Sequence, residues 1–234
     1  MGAFLRALLV ATAVMVATPD ARAQAPAPSP IEGPVYPVIY VEVMPTATVE
    51  GGTLLRRYRA ATRTEEGNLR CEVVQRIGQP HQFAIVEVWR DQKAFEAHGK
   101  GASSTDVRGK IAAIRNAPTD ERVHTALSVG PIASTPAAGA VYVVTHVDVI
   151  PPHKDDGVAA VKQLADDSRT GAGNVRFEVV QQASRPNHFT VVEVWANAKA
   201  VEAHSMTAVT RQFRDKLASM TGALYDERMY TTLD

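Results

Sequence analysis

Hydrophobic and polar positions change period several times along residues 36–127. Residues 38–44 are apolar and β-branched up to Pro45, which predicts a strand. Over residues 51–64, Leu54, Leu55 and Tyr58 fall at helical spacing, and the Gly67-Asn68 turn then starts a second strand. Residues 83–89 alternate: Ala84, Val86 and Val88 point one way, and Ile85, Glu87 and Trp89 the other. Asp91 is placed to cap a helix through His98, a further helical stretch runs to Arg115, and residues 121–127 form a last strand. The predicted order is βαββαβ, the ferredoxin-like arrangement with an antiparallel sheet and its helices on one side.

The same pattern returns 106 residues later. Residues 36–127 lie over 142–233 without a gap, and 36 of the 92 paired positions are identical. Asn68, Arg70, Glu72, Val73, Val74 and Gln75 meet Asn174, Arg176, Glu178, Val179, Val180 and Gln181; Val86-Glu87-Val88-Trp89 meets Val192-Glu193-Val194-Trp195; Glu96-Ala97-His98 meets Glu202-Ala203-His204. Such density marks an internal duplication. The chain divides into residues 36–127, a Gly- and Pro-containing linker at 128–140, and a second module at 141–234. One module alone would leave an apolar sheet face in water. Two placed face to face bury it, so the expected fold is α+β: two tandem modules closing into one intrachain dimeric α+β barrel, with a further homo-oligomer left open.

Composition narrows the function. Lys plus Arg and Asp plus Glu both number 25, so no bulk field draws nucleic acid or an anionic membrane. The single cysteine, Cys71, leaves no intrachain disulfide and no Cys-rich metal site. Residues 1–23 read as a secretory signal: Arg6, an apolar run over 7–17, and a small-x-small site at Ala21-Arg22-Ala23. That run is shorter than the roughly 20 residues a spanning helix needs, so the expected product is exported, periplasmic or secreted, without a stable membrane anchor. Residues 24–35, rich in Pro and Ala, suit an extended tether.

Residues that repeat in both copies are the first candidates for chemistry. Glu87 and Glu193 sit on the same strand face as Trp89 and Trp195. For the carboxylates the plain reading is an ion pair with Arg70 or Arg176; for the tryptophans it is a core anchor, against a wall that stacks on a flat aromatic ligand. His98 and His204 come nine residues after each Trp. A histidine near a helix end is often a favourable dipole partner, yet it is also the side chain matched to proton transfer at neutral pH, able to deprotonate a phenol or quinol. Tyr40 pairs with His146, and His124 with Tyr230, an exchange that fits either drift or two divergent pockets; Tyr40 and His146 join the candidate substrate contacts. No metal set is expected, since His153 and His188 have no partner at ligand spacing. Glycine-rich phosphate loops and hydrolase, zincin or CxxC motifs are missing from the sequence.

The run Phe83 to Trp89 followed by Lys93-Ala94-Phe95-Glu96-Ala97-His98, repeated as Phe189 to Trp195 and Lys199 to His204, resembles the signature of antibiotic biosynthesis monooxygenase domains. Gly67 and Gly173 match the glycine of that family's turn into strand two. The resemblance covers each module nearly end to end. It implies a dimeric α+β barrel and oxygenation of quinols or polycyclic phenols by O2, without flavin, haem or metal. It makes His98 and His204 the catalytic candidates and Trp89, Trp195, Glu87 and Glu193 their substrate-binding neighbours. Residues 99–104 and 205–210 lack the second histidine that many members carry. Haem-degrading relatives have Trp in place of His98 and His204, and histidine in place of Arg108 and Arg214, so haem cleavage is not expected. The expected cofactors are none and the expected partners a small aromatic substrate and O2. A non-catalytic barrel that binds a small hydrophobic ligand, or acts in a stress response, is the alternative.

Overall fold

The computed structural model describes residues 30–132, 136 and 138–233. The expected signal and most of the tether lie outside them. Module 1 runs β1 (Val35–Glu42), α1 (Thr48–Thr62), β2 (Asn68–Arg76), β3 (Gln82–Trp89), α2 (Gln92–Lys100), α3 (Ala102–Ile114) and β4 (Asp120–Ser128). Module 2 repeats this as β5 (Val141–Asp148), α4 (Lys154–Ser168), β6 (Asn174–Gln182), β7 (His188–Trp195), α5 (Ala198–Ser205), α6 (Ala208–Ala218) and β8 (Asp226–Thr232).

The strands form one closed antiparallel barrel in the order β1-β3-β2-β8-β5-β7-β6-β4. Two seams cross between modules, β2 with β8 and β4 with β6, so each module's last strand completes the sheet of the other. Closure leaves no strand edge open to a foreign chain. Alternation along the strands then makes two kinds of core. Ile39, Val41, Cys71, Val73 and Ile85 face the helices of module 1, with an equivalent cluster in module 2, while Val38, Val74, Ala84, Val86, Tyr142 and Val192 fill the barrel interior. Among the described residues no helix is long and apolar enough to cross a membrane.

Local chemistry fixes the connection that positions the site. Gly67 adopts φ 84°, and a Cβ there would stand 2.5 Å from the Ala94 Cβ. Glycine therefore lets the start of β2 press against α2, as Gly173 does against Ala200 in module 2. The Asp91 carboxylate accepts from the Ala94 N–H at 2.8 Å and starts α2, which sets the turn on which His98 falls.

Arg70 and Arg176 do not pair with Glu87 or Glu193. Their strands, β2 and β6, lie opposite each other in the ring, and their side chains meet across the interior. Arg70 donates to both Glu178 oxygens at 2.9 and 2.6 Å, and Arg176 to both Glu72 oxygens at 3.1 and 2.6 Å. The Tyr142 hydroxyl donates to Glu72 at 3.0 Å. The result is a buried, charge-balanced quartet joining the two modules.

Also inside the barrel, His124 faces the Tyr36 carbonyl oxygen at 2.9 Å through Nδ1 and the Thr190 hydroxyl at 2.9 Å through Nε2. Burial, partly opposed by the Tyr36 carbonyl, pushes its pKa down to about 4. A histidine whose folded pKa lies below the ordinary value lets the unfolded chain bind the proton first. Its contribution is therefore whole above about pH 6.5 and lost as the pH falls toward 4, a change of about 3 kcal/mol. His124→Gln removes that dependence. In urea denaturation its stability deficit against wild type should be largest at pH 7 and shrink by about 3 kcal/mol at pH 4; an equal deficit at both pH values would refute the assignment.

Candidate active site

In module 1, β3 presents Glu87 and Trp89 to the helices, α1 presents Tyr58, and α2 presents His98. All four are buried. The Tyr58 oxygen lies 2.7 Å from Glu87 Oε1 and 2.8 Å from His98 Nε2. The other ring nitrogen of His98, Nδ1, is 2.8 Å from Glu65 Oε2 at the end of the network nearer solvent. The Trp89 indole N–H donates to Glu87 Oε2 at 2.8 Å, and the Cys71 thiol lies 3.7 Å from Glu87 Oε1. The Trp89 and His98 rings are 4.7 Å apart.

Burial dominates the electrostatics. It raises the Glu87 carboxyl above the usual carboxylate range, against the opposing effect of the Trp89 hydrogen bond and the other groups around it. It also raises the Tyr58 phenol, with Glu87 adding to the effect, and the Cys71 thiol. The network thus favours protons held on carbon-surrounded oxygen and sulfur over isolated buried charge.

Beside this network lies a cavity of about 280 Å³ between the sheet and helices α1 and α3. Its wall is mostly apolar, from Ile39, Val41, Leu55, Ile85, Val107 and Ile111; Arg108, Arg115, Thr119 and Glu121 supply its polar part together with Tyr58. Arg108 is paired with Glu121 at 3.2 Å. Glu87, Trp89 and His98 are not on the wall; Tyr58, bonded to Glu87 and His98, is. The expectation that Trp89 and His98 line a pocket is thus replaced by an arrangement in which Tyr58 alone of the four lines the cavity.

Module 2 retains Glu193, Trp195 and His204 but not their surroundings. Tyr58, Glu65 and Cys71 are replaced by Leu164, Gly171 and Phe177. The Trp195 N–H donates to Glu193 at 2.8 Å and the Trp195 and His204 rings stack at 4.5 Å, but His204 Nε2 is 3.8 Å from Glu193 and 3.3 Å from the Thr210 hydroxyl. Burial pushes the Glu193 carboxyl up to about 7. His204 and Glu193 do line a space here, yet it measures only about 20 Å³. Phe213 and Tyr225, where module 1 has Val107 and Thr119, occupy the equivalent region. That volume is near the roughly 10–15 Å³ needed for one water and admits no ring; a separate space of about 280 Å³ lies against Arg214, Leu217, Ala218, Thr221, Leu224 and Tyr225, and neither His204 nor Glu193 lines it.

Tyr40 and His146 are on the opposite sheet face, inside the barrel, away from both spaces. Tyr40 lies between the guanidinium groups of Arg122 and Arg228, each 5.1 Å from its ring, and His146 Nε2 is 3.2 Å from His188 Nδ1. The structure brings Glu87, Trp89 and His98 together, and likewise Glu193, Trp195 and His204, but neither group with Tyr40 or His146. Tyr58 escaped sequence reasoning because candidates were chosen for being repeated, and position 164 is leucine. Its signal was the reverse: a hydroxyl on an otherwise apolar helix stripe in one copy only. Among the described residues no three His, Cys, Asp or Glu side chains are grouped to hold a metal ion.

Comparison with known proteins agrees with this architecture. A Bacillus subtilis protein provisionally named monooxygenase YcnE is 28% identical over 81 residues, which cover 35% of this chain and 85% of that protein. Two provisionally named monooxygenases share the two-module fold. The one from Fusobacterium nucleatum superposes with a TM-score of 0.75 at 17% identity, over 86% of this chain and 93% of its own. That from Lactobacillus acidophilus gives 0.70 at 16%, over 87% and 95%. The sequence profile of the antibiotic biosynthesis monooxygenase family matches residues 34–109 and again residues 140–216. With its signature Glu, Trp and His residues gathered together in each half, the chain belongs to the antibiotic biosynthesis monooxygenase family, with the domain present twice.

Proposed function

We propose that the chain is a cofactor-independent monooxygenase that oxidises a quinol or phenolic aromatic with O2 in the cavity of module 1. The observation that carries this reading is a mostly apolar cavity of about 280 Å³ lined in part by Tyr58, whose hydroxyl is hydrogen-bonded to His98 and Glu87. An apolar cavity of about 150 Å³ holds benzene, so this space is large enough for an aromatic ring.

The chemistry asks little of the protein. A phenolate or quinolate can itself give an electron to O2; the resulting radical and superoxide combine to a peroxide at a ring C–H carbon. Loss of that hydrogen with cleavage of the O–O bond leaves one oxygen atom as a carbonyl on the oxidised ring and releases the other as water. The protein supplies a dry, shaped space, orientation and a proton acceptor. Residues 1–23 point to export, which would put this reaction outside the cytoplasm; exported protein beginning at Gln24 is the expected result of N-terminal sequencing, and an intact Met1 would count against it.

The test is oxygen uptake by purified protein with a panel of one- and two-ring quinols, with metal analysis alongside. The Val107→Phe/Thr119→Tyr variant, which gives module 1 the side chains that fill module 2, should bind and oxidise none of them. Unchanged uptake in that variant would move the reaction out of this cavity. A second reading, a ligand-binding barrel without catalysis, is favoured by the closure of the network on itself, since Glu87, Trp89 and His98 do not line the cavity. Saturable quinol binding without oxygen uptake would select it.

A further inference from the structure

The network behind the cavity has a proton inventory that can be counted. Three atoms stand in a row, Glu87 Oε1, the Tyr58 oxygen and His98 Nε2, separated by 2.7 and 2.8 Å. Each gap needs one hydrogen, and Tyr58 owns only one. A neighbour must therefore supply the other, so the row at rest holds two protons. Either Glu87 is protonated and Tyr58 donates to His98 Nε2, or Glu87 is ionised, Tyr58 donates to it and His98 donates to Tyr58 through Nε2–H. The two arrangements contain the same number of protons and interchange by a double shift through the hydroxyl. Glu65, 2.8 Å from Nδ1, is the counter-ion that supports charge on His98. The Trp89 N–H fixes the other oxygen of Glu87, and of the charged groups that line the cavity with Tyr58, namely Arg108, Arg115 and Glu121, Arg108 and Glu121 are paired with each other.

We propose that Tyr58 is the catalytic residue of module 1: it takes the proton of the bound phenol while handing its own to the Glu87–His98 pair, and then donates its hydrogen bond to the phenolate. The assignment rests on the reading of this cavity as a site for a phenolic aromatic. In the step the substrate O–H bond breaks and a new Tyr58 O–H bond forms, while the old one is replaced by a bond to His98 Nε2 or Glu87 Oε1. No electron moves. The row then holds three protons for two gaps. Glu87 and His98 both donate to the Tyr58 oxygen, and the Tyr58 hydrogen is left to turn to the cavity, where the phenolate is. The stored proton is available again when the second oxygen atom leaves as water. His98 is in this scheme a proton acceptor acting through Tyr58, and Glu65 a positioning residue. Module 2 lacks the step, because Leu164 and Gly171 remove both the relay and the counter-ion.

The experiment uses 4-nitrophenol, whose phenolate absorbs visible light, titrated with pH while bound to the wild-type protein and to the Tyr58→Phe and Glu65→Gln variants, with quinol turnover measured on the same preparations. In wild type the bound phenol should ionise at lower pH than free nitrophenol. Tyr58→Phe should abolish that shift and lower kcat by about 10²- to 10⁴-fold, with KM changed far less. Glu65→Gln, a change at the more exposed end of the network that should leave the fold intact, should make ionisation about tenfold less favourable. Identical titrations in wild type and both variants, or turnover by Tyr58→Phe at the wild-type rate, would overturn the proposal, as would a lack of saturable nitrophenol binding. If no quinol is oxidised by wild type, the oxygenase reading fails while the titration still decides whether Tyr58 deprotonates a bound phenol.

Discussion

Replacing His98 by alanine is expected to lower quinol turnover by about 10²- to 10⁴-fold, the usual worth of a positioned proton acceptor, while His204→Ala leaves turnover unchanged. The two histidines occupy equivalent places in the repeat, so sequence treats them alike. Their environments differ. His98 is joined to the hydroxyl of Tyr58, a residue that lines a cavity large enough for a ring, and to Glu65 on its other nitrogen. His204 borders a space of about 20 Å³, and its ring nitrogen has Thr210 and Glu193 as neighbours at 3.3 and 3.8 Å. The double variant should behave as His98→Ala alone, because only one of the two removals touches the reaction. Steady-state oxygen consumption by the two single variants and the double variant checks this. Equal losses from the two single changes would mean that both halves work, and no loss from either would remove histidine from the mechanism.

Cutting the charge quartet in the barrel interior should have the largest effect on stability. Arg70→Met removes two hydrogen bonds from Glu178 and leaves that carboxylate buried between the modules, with Arg176 Nε at 3.4 Å as its remaining cation. Breaking a buried pair from one side costs about 3–5 kcal/mol, much of it the penalty of the stranded charge. Removing all four charges with apolar residues of similar volume, as in Arg70→Met/Glu72→Leu/Arg176→Met/Glu178→Leu with Tyr142→Phe, should recover most of the loss, because the desolvation of four ions disappears with their attraction. Urea denaturation of the single and combined variants measures both. If the single change costs less than about 1 kcal/mol, as exposed pairs do, the quartet does not hold the modules together in the way its burial implies.

These two expectations mark where sequence reading reached and where it stopped. Strand, helix and turn periods in residues 36–127, their gapless return in residues 142–233, and the apolar sheet face that each copy would otherwise expose were enough to lead to a closed two-module barrel. Those features are local or repeated, and the physics behind them, alternation, capping and burial, acts over a few residues. Glu87, Trp89 and His98 were legible for the same reason, since a strand-end Trp and a His two turns into the next helix share a seam. Partnership was not legible. Whether Glu87 meets Arg70 or Tyr58 depends on which face of β2 turns inward after closure, and only the closed barrel sends Arg70 across the interior to Glu178, 108 positions away.

The asymmetry was also written in the sequence, at Tyr58, Glu65, Val107 and Thr119 against Leu164, Gly171, Phe213 and Tyr225, but with no indication that those four positions converge. Sequence by itself determined the elements, the duplication and the residues each half keeps, because these follow from short-range periodicity and from comparing the chain with itself. Tertiary structure alone decided that the space beside the network measures about 280 Å³ in module 1 and that beside His204 only about 20 Å³, and that His98 meets the cavity-lining Tyr58 rather than the cavity itself. Volume and hydrogen-bond connectivity arise from side chains on α1, β3 and α2–α3 meeting in space, and no spacing along the chain encodes that meeting.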